Sequence, residues 1–259
     1  MTKDTWNPNQ YDKFKNERSQ PFFDLMNLLE PTKDATVVDL GCGTGDLTAE
    51  LHKFTKAKKT WGLDSSDQML AKALAFETAS LNFLKADISA WKQPEQFDII
   101  FSNAALQWCP GHETIFKNLK ESLRENGQIA IQMPMNHDYP THTLAQAISS
   151  EDPWKQLMGD NRYEQHKIML AAEKYATLLF DLGFKKQKVF TNVYSHVLDS
   201  REGVIEWVKG TLLTRFQKGL SEDDYNKFFL EFKKRLFEKL PDNKPFFYPF
   251  KRILIWARA

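Results

Sequence analysis

The stretch VVDLGCGTGDLTAEL, Val37–Leu51, decides the fold. Val37, Val38 and Leu40 are apolar, and β-branched residues of this kind suit a pleated, covered strand. Gly41, Gly43 and Gly45 then alternate with Cys42 and Thr44. From there the apolar residues return at helical spacing, so Thr44–Phe54 reads as a helix. A strand passes to a helix through a loop of high backbone freedom. Glycine adopts positive φ without penalty and, lacking Cβ, lets the backbone approach a ligand closely. The helix N-terminus beyond it presents unsatisfied N–H groups to that ligand.

Outward from this loop the same cadence repeats. Thr36–Leu40, Thr60–Leu63, Asn82–Lys85, Phe97–Ser102 and Gln128–Met133 read as strands, with helices at Ser66–Ala75 and Glu113–Leu123 between them. Ser65 or Ser66 is the N-cap of the first of these. Glu125–Gly127 carries a turn signal. Strands apolar on both sides alternating with helices predict an α/β fold with a doubly wound, mostly parallel sheet. Beyond Met133, Thr141–Ser150, Trp154–Leu170, Ala171–Leu182, Arg201–Phe216 and Ser221–Leu240 read as helices, and Lys185–Leu198 and Arg252–Ala257 as strands. The chain is therefore expected to be one domain: an N-terminal flap over 1–30, a ligand-binding core over 31–134, helical cap insertions at 135–182 and 199–245, and closing strands at 183–198 and 246–259. Trp6, Tyr11 and Phe14 mark an apolar side of the flap, which either closes over the ligand or packs permanently on the core.

Composition bounds the function. The 259 residues carry 35 basic and 34 acidic side chains, a net charge of +1, with no footprint for nucleic acid or an anionic membrane. No apolar run reaches the roughly 18 residues of a membrane span. The polar, aromatic start MTKDTWNPNQ is unlike a signal peptide. The two cysteines, Cys42 and Cys109, set no disulfide framework. These features predict a cytoplasmic protein. His52, His112, His137 and His166 have no metal-ligand spacing with one another, and His112 with Cys109 lacks two further ligands, so no metal is expected.

Three elements meet at the carboxyl ends of the strands. Asp39 leads the glycine loop, Asp64 ends the second strand in GLDSS, and Asp87 follows the third in KADIS. In a doubly wound sheet the acid after the second strand lies beside the loop and suits ribose hydroxyls. Ile88 offers an apolar face to a purine. The spacing is GxGxG rather than the dinucleotide pattern GxGxxG. It resembles the S-adenosylmethionine loop of class I methyltransferases, usually (D/E)xGxGxG. That resemblance implies S-adenosyl-L-methionine as cofactor, held by Tyr11, Asp39, Gly41, Gly43, Gly45, Asp64, Ser65, Asp87, Ile88, Asn103 and Ala104.

A narrower resemblance covers nearly the whole chain. WNPNQYDKFKNERSQP (Trp6–Pro21), ALQW within FDIIFSNAALQWCPGH (Phe97–His112), QMP with PTH (Gln132–Pro134, Pro140–His142), the segment Tyr194–Arg215 and the closing PFKRILIWAR together are similar to the trans-aconitate 2-methyltransferase family. It implies esterification of a carboxylate of a small polycarboxylic acid. The malonyl-carrier-protein methyl ester synthases of biotin synthesis also resemble SNxALQWC and would make a carrier protein the partner. Binding of the cofactor without turnover, as a sensor, is the third reading. A carboxylate is already ionised at neutral pH, its unperturbed pKa being about 4. Such an acceptor needs alignment rather than a base, so no catalytic residue is required. Donors to position it are Arg18, Trp108, Tyr194, His196 and Arg215. Trp108 carries one indole N–H or packs in the core. Arg18 grips a carboxylate bidentately or pairs with Asp12 or Glu17. Tyr194 and His196 share a strand face, at a distal-carboxylate site or a solvated end. Arg215 caps the site or complements a helix C-terminus.

Overall fold

A computed structural model describes residues 15–159 and 168–259, with side chains omitted for residues 15–18 and 218. The flap residues Trp6, Tyr11 and Phe14 lie outside the described residues. The elements in chain order are α1 Lys15–Met26, β1 Thr36–Leu40, α2 Asp46–Thr55, β2 Lys59–Asp64, α3 Asp67–Ala73, β3 Leu81–Lys85, β4 Phe97–Asn103, α4 His112–Ser122 and β5 Leu123–Pro134. They continue as α5 Pro140–Ser149, α6 Trp154–Met158, α7 Ala172–Asp181, β6 Lys186–Leu198, α8 Glu202–Lys209, α9 Leu212–Gly219, α10 Glu222–Lys239 and β7 Phe246–Arg258. One seven-stranded sheet runs β3-β2-β1-β4-β5-β7-β6. β1 pairs in parallel with β2 and β4, β2 with β3, and β4 with β5. β7 lies antiparallel on β5. This is the doubly wound α/β sheet read from the sequence. The strand order turns back at β1 and β4, where open α/β sheets form their ligand crevice.

Two compact units divide the described residues: 15–134 with 168–192 and 252–259, and 135–159 with 193–251. In the first, Val37, Ile99, Phe101, Ala130, Leu254 and Trp256 form one sheet face and bury Phe22, Leu25 and Met26 of α1. Each such large apolar side chain contributes about 1.5–3 kcal/mol. Phe22, Leu25 and Met26, within the segment expected to be a flap, are thus core. The second unit packs helices around Trp207, Phe228, Phe232, Tyr248 and Phe250. The N-cap Ser221, accepting from Asp224 N–H at 3.2 Å, and acids in the first turn start its long helix α10.

Several boundaries differ from those read in the sequence. The helix expected over Arg201–Phe216 is two, because Gly210 ends α8 and Thr211 leaves helical backbone at φ −137°, ψ −95°. The helix expected from Trp154 stops at Met158, where Gly159 turns to φ 50°; 160–167 lie outside the described residues. β7 begins at Phe246, six residues early, with Phe246, Tyr248 and Phe250 buried on alternate positions. Glu125–Gly127 is an irregularity within β5, with Asn126 at φ 59° and the β4 register shifted between Phe97 and Ile99. Finally, α7 belongs with the sheet unit and not with a cap insertion, since its Tyr175 packs on Phe116 and His112 of α4.

Candidate functional site

The glycine loop is built by its neighbours. Gly41 and Cys42 N–H groups both donate to the Leu63 carbonyl, at 2.7 and 3.0 Å. Asp64, at the end of β2, binds the loop from the side: its Oδ2 accepts from Gly43 N–H and its Oδ1 from Ser66 N–H, both at 2.9 Å. Gly41, Gly43 and Gly45 hold φ values of 80°, 57° and 78°. At Gly41 a Cβ would stand 2.2 Å from the Ala105 Cβ and 3.7 Å from Ile88 Cδ1. The loop, the segment after β3 and the turn after β4 therefore converge on one point. Among the described residues, its two chain neighbours aside, a Cβ at Gly43 would meet no atom within 4 Å. Ser66, not Ser65, is the N-cap of α3, accepting from Met69 N–H; Ser65 is exposed. Asp87 is exposed, and its Oδ1 accepts from the Ser89 N–H and hydroxyl, which lowers its pKa.

Asp39 is buried beneath the loop. Its side chain is 2% exposed and accepts from the Thr48 hydroxyl of α2 at 2.6 Å, so it braces strand against helix. Burial raises its pKa to about 7, and the nearby Asp64 charge adds to the rise. The consequence for stability has a definite sign. An unfolded chain ionises Asp39 near pH 4, while the folded chain keeps it protonated until about pH 7. Folding therefore loses stability as pH rises through that window, by on the order of 2–4 kcal/mol. Asp39→Asn, which keeps an oxygen for Thr48, is expected to unfold roughly 5–10 °C above wild type at pH 8. The two should melt together near pH 4; an equal difference at both pH values contradicts this origin.

After β4 the chain turns sharply. Ala104 sits at φ 54°, its N–H bonded to the Gln132 carbonyl at 2.9 Å. Gln107 Nε2 donates to the Ala104 carbonyl at 2.7 Å, and a 3₁₀ turn, Leu106–Trp108, leaves Trp108 half-buried. His112 fixes this turn from below. Its Nε2 lies 3.0 Å from the Leu106 carbonyl and its Nδ1 2.5 Å from the Tyr175 hydroxyl. Only a neutral ring protonated at Nε2 can donate to that carbonyl and accept from the hydroxyl. Burial lowers the His112 pKa and favours this form. His112 is thus structural, and no group of three potential metal ligands occurs among the described residues.

The remaining expected residues fall elsewhere. Arg18 lies on α1, and Tyr11 lies outside the described residues. Tyr194, His196 and Arg215 belong to the helical unit. Tyr194 and His196 are buried on alternate positions of β6 rather than at a solvated end, with the His196 ring 4.7 Å from Trp207. Arg215, on α9, is half-buried and acts on His142, whose pKa burial brings down to about 4, with Arg215 a lesser cause. One residue that sequence reading passed over stands out. Gln132 of β5 is fully buried on the sheet face that carries Asn103. Its signals in the sequence were a second amide, after Gln128, in the strand QIAIQM and its place in the QMP stretch.

Comparison with known proteins places these features. The methyltransferase domain model matches residues 37–127. The chain is 40% identical over 256 residues to a trans-aconitate 2-methyltransferase of Deinococcus radiodurans, covering 98% of both. Among solved structures it resembles the YcgJ protein of Bacillus subtilis, with a TM-score of 0.62 at 14% identity over 93% of this chain and 98% of that one. It also resembles phosphoethanolamine N-methyltransferase 2 of Haemonchus contortus, solved with S-adenosylhomocysteine, at TM-score 0.54 and 17% identity over 93% and 52% of the chains. The solved structures bear on the fold alone.

Proposed function

The chain belongs to the trans-aconitate 2-methyltransferase family of S-adenosylmethionine-dependent methyltransferases, and from that premise we propose that it esterifies one carboxylate of trans-aconitate in the cytoplasm. The near-complete match in length to that family carries the reading. The residues fit the cofactor on their own terms. Gly43 offers an open backbone cradle, Asp64 stands beside it with a carboxylate, and the Ile88 side chain reaches over Gly41. When bound, S-adenosylmethionine supplies a methyl group already activated by a sulfonium.

Everything else falls to the protein's own groups. Asp64 keeps Gly43 and Ser66 in place and stands where a doubly wound sheet offers an acid to ribose hydroxyls. Asp87 and Ile88 border the adenine; Asn103 and Ala104 border the methionine end. The acceptor is an anion at neutral pH, so the site holds and desolvates it and removes no proton. Trp108, on a turn fixed by Gln107 and His112, is the nearest candidate to do so. Arg18, Tyr194, His196 and Arg215 are further candidates by their chemistry as anion donors. No helix among the described residues is long and apolar enough to cross a membrane.

Transfer from labelled cofactor to a panel of aconitate isomers, citrate and malonyl thioesters tests the function. Trans-aconitate is expected to be methylated with the highest kcat/KM. A malonyl thioester that outruns it would move the enzyme to a carrier-bound acceptor, and tight cofactor binding with no transfer would make it a sensor.

A further inference from the structure

Two glutamines, Gln128 and Gln132, stand on one face of β5, four residues apart and both 0% exposed. Gln128 is saturated. Its Nε2 donates to the Glu30 carbonyl at 2.7 Å and to Thr32 Oγ1 at 3.1 Å; its Oε1 accepts from Glu30 N–H at 3.0 Å and Trp256 Nε1 at 2.8 Å. Gln132 makes none of these bonds: among the described residues neither its Nε2 nor its Oε1 has a partner. Leaving a buried amide unbonded costs about 1–3 kcal/mol per group. A leucine of similar volume would avoid that cost, so the amide is unexplained by folding.

Its surroundings say what it suits. Across the β4–β5 ladder Gln132 is the register partner of Asn103, whose Oδ1 is also buried without a partner among the described residues. Across the β5–β7 ladder Arg252 stands opposite Pro134, two positions on, so it shares this face, and it is 4% exposed. Gln132 is also three strands from Asp64, roughly 14 Å at about 4.8 Å per strand. The ribose-side acid and this amide thus lie at opposite ends of the carboxyl edge, with the glycine loop between them.

We infer that Gln132 is a binding residue for the acid acceptor, its Nε2–H donating to a carboxylate oxygen. The inference rests on the reading of the chain as a carboxylate methyltransferase. Gln132→Leu removes the donor with little change in volume, and Gln132→Glu replaces it with a negative charge. Calorimetry with trans-aconitate on protein saturated with S-adenosylhomocysteine, and with S-adenosylmethionine alone, separates acceptor from donor. Gln132→Leu should weaken binding of the acid roughly 10- to 100-fold, as expected for a hydrogen bond to a charged group, and Gln132→Glu should weaken it further. Cofactor affinity should stay within about threefold of wild type on this account, in keeping with a role on the acceptor side. The unfolding midpoint of Gln132→Leu should match or exceed that of wild type, since it deletes unbonded polar atoms. Unchanged affinity for the acid, a loss confined to the cofactor, or a midpoint lowered by several degrees each overturns the assignment. Wild-type turnover of trans-aconitate is read in the same experiment. Turnover with unaffected variants defeats the inference alone, whereas a wild type that neither binds nor methylates the acid defeats both.

Discussion

Asp64→Ala should lose S-adenosylmethionine affinity by at least about a hundredfold, measured by calorimetry on the purified protein, while the chain stays folded. The size follows from what the carboxylate does. It accepts one N–H from Gly43 in the loop and one from Ser66 at the cap of α3, each at 2.9 Å. Bonds to an ionised group are worth about 1.5–3 kcal/mol apiece. Removing the side chain releases the middle of the loop and also deletes the lone pairs proposed to meet the ribose. Losing two such ligand bonds alone corresponds to a factor of about a hundred or more. The sheet does not depend on Asp64: it is half-buried, and its neighbours Leu63 and Gly62 remain paired with Leu40 and Asp39 of β1. Asp64→Asn should fall between, because its amide keeps one oxygen to accept but turns an N–H toward a donor. A second readout reports on the same group. The Asp64 charge helps hold the Asp39 pKa up, so in Asp64→Ala the pH window over which stability falls should move to lower pH. Wild-type cofactor affinity in Asp64→Ala would refute the assignment.

How much of this was legible in the sequence depends on whether the cause is local. β1 is Thr36–Leu40 both as read and as found, because a run of Val37, Val38 and Leu40 bounded by glycine has few other ways to fold. The doubly wound, mostly parallel sheet followed from the same alternation, and so did the meeting of the loop, Asp64 and the turn after β4. Boundaries were lost where a single residue carried two signals. Pro249 hid the alternation of Phe246, Tyr248 and Phe250, since proline argues against a strand interior, yet β7 runs through it. Gly210 lies within the single helix read over Arg201–Phe216 and instead ends α8. The roles of Asp39 and Gln132 were out of reach for a different reason. Asp39 reads as a ligand acid because its position in the motif is that of one; only the assembled seam with Thr48 shows it turned inward. Gln128 and Gln132 are the same residue type in the same strand. Their difference lies wholly in partners supplied by Glu30, Thr32 and Trp256 from distant parts of the chain.

Gly41→Ala and Gly43→Ala should fail in opposite ways, although a single residue separates them in one loop. Both glycines hold positive φ, which costs an alanine about 1–2 kcal/mol. At position 41 the new methyl would stand 2.2 Å from the Ala105 Cβ and 3.6 Å from its Cα. Neither atom belongs to a flexible side-chain end, so backbone must move, and overpacking of this kind adds about 1–3 kcal/mol. Gly41→Ala should therefore unfold roughly 5–15 °C below wild type, and it should displace the Ala104–Trp108 turn. At position 43 the methyl meets no atom of the described residues within 4 Å, its chain neighbours aside. The fold should lose only the φ cost, about 2–6 °C, while the cradle narrows by a methyl group on its open side. S-adenosylmethionine affinity should then fall more than about tenfold, because close approach of backbone to ligand is what the missing Cβ allows. Thermal unfolding and calorimetry on the two variants decide between a loop shaped for packing throughout and one shaped for packing at Gly41 and for a ligand at Gly43. A Gly43→Ala protein that binds the cofactor as wild type does would leave the glycine at 43 without a ligand to explain it.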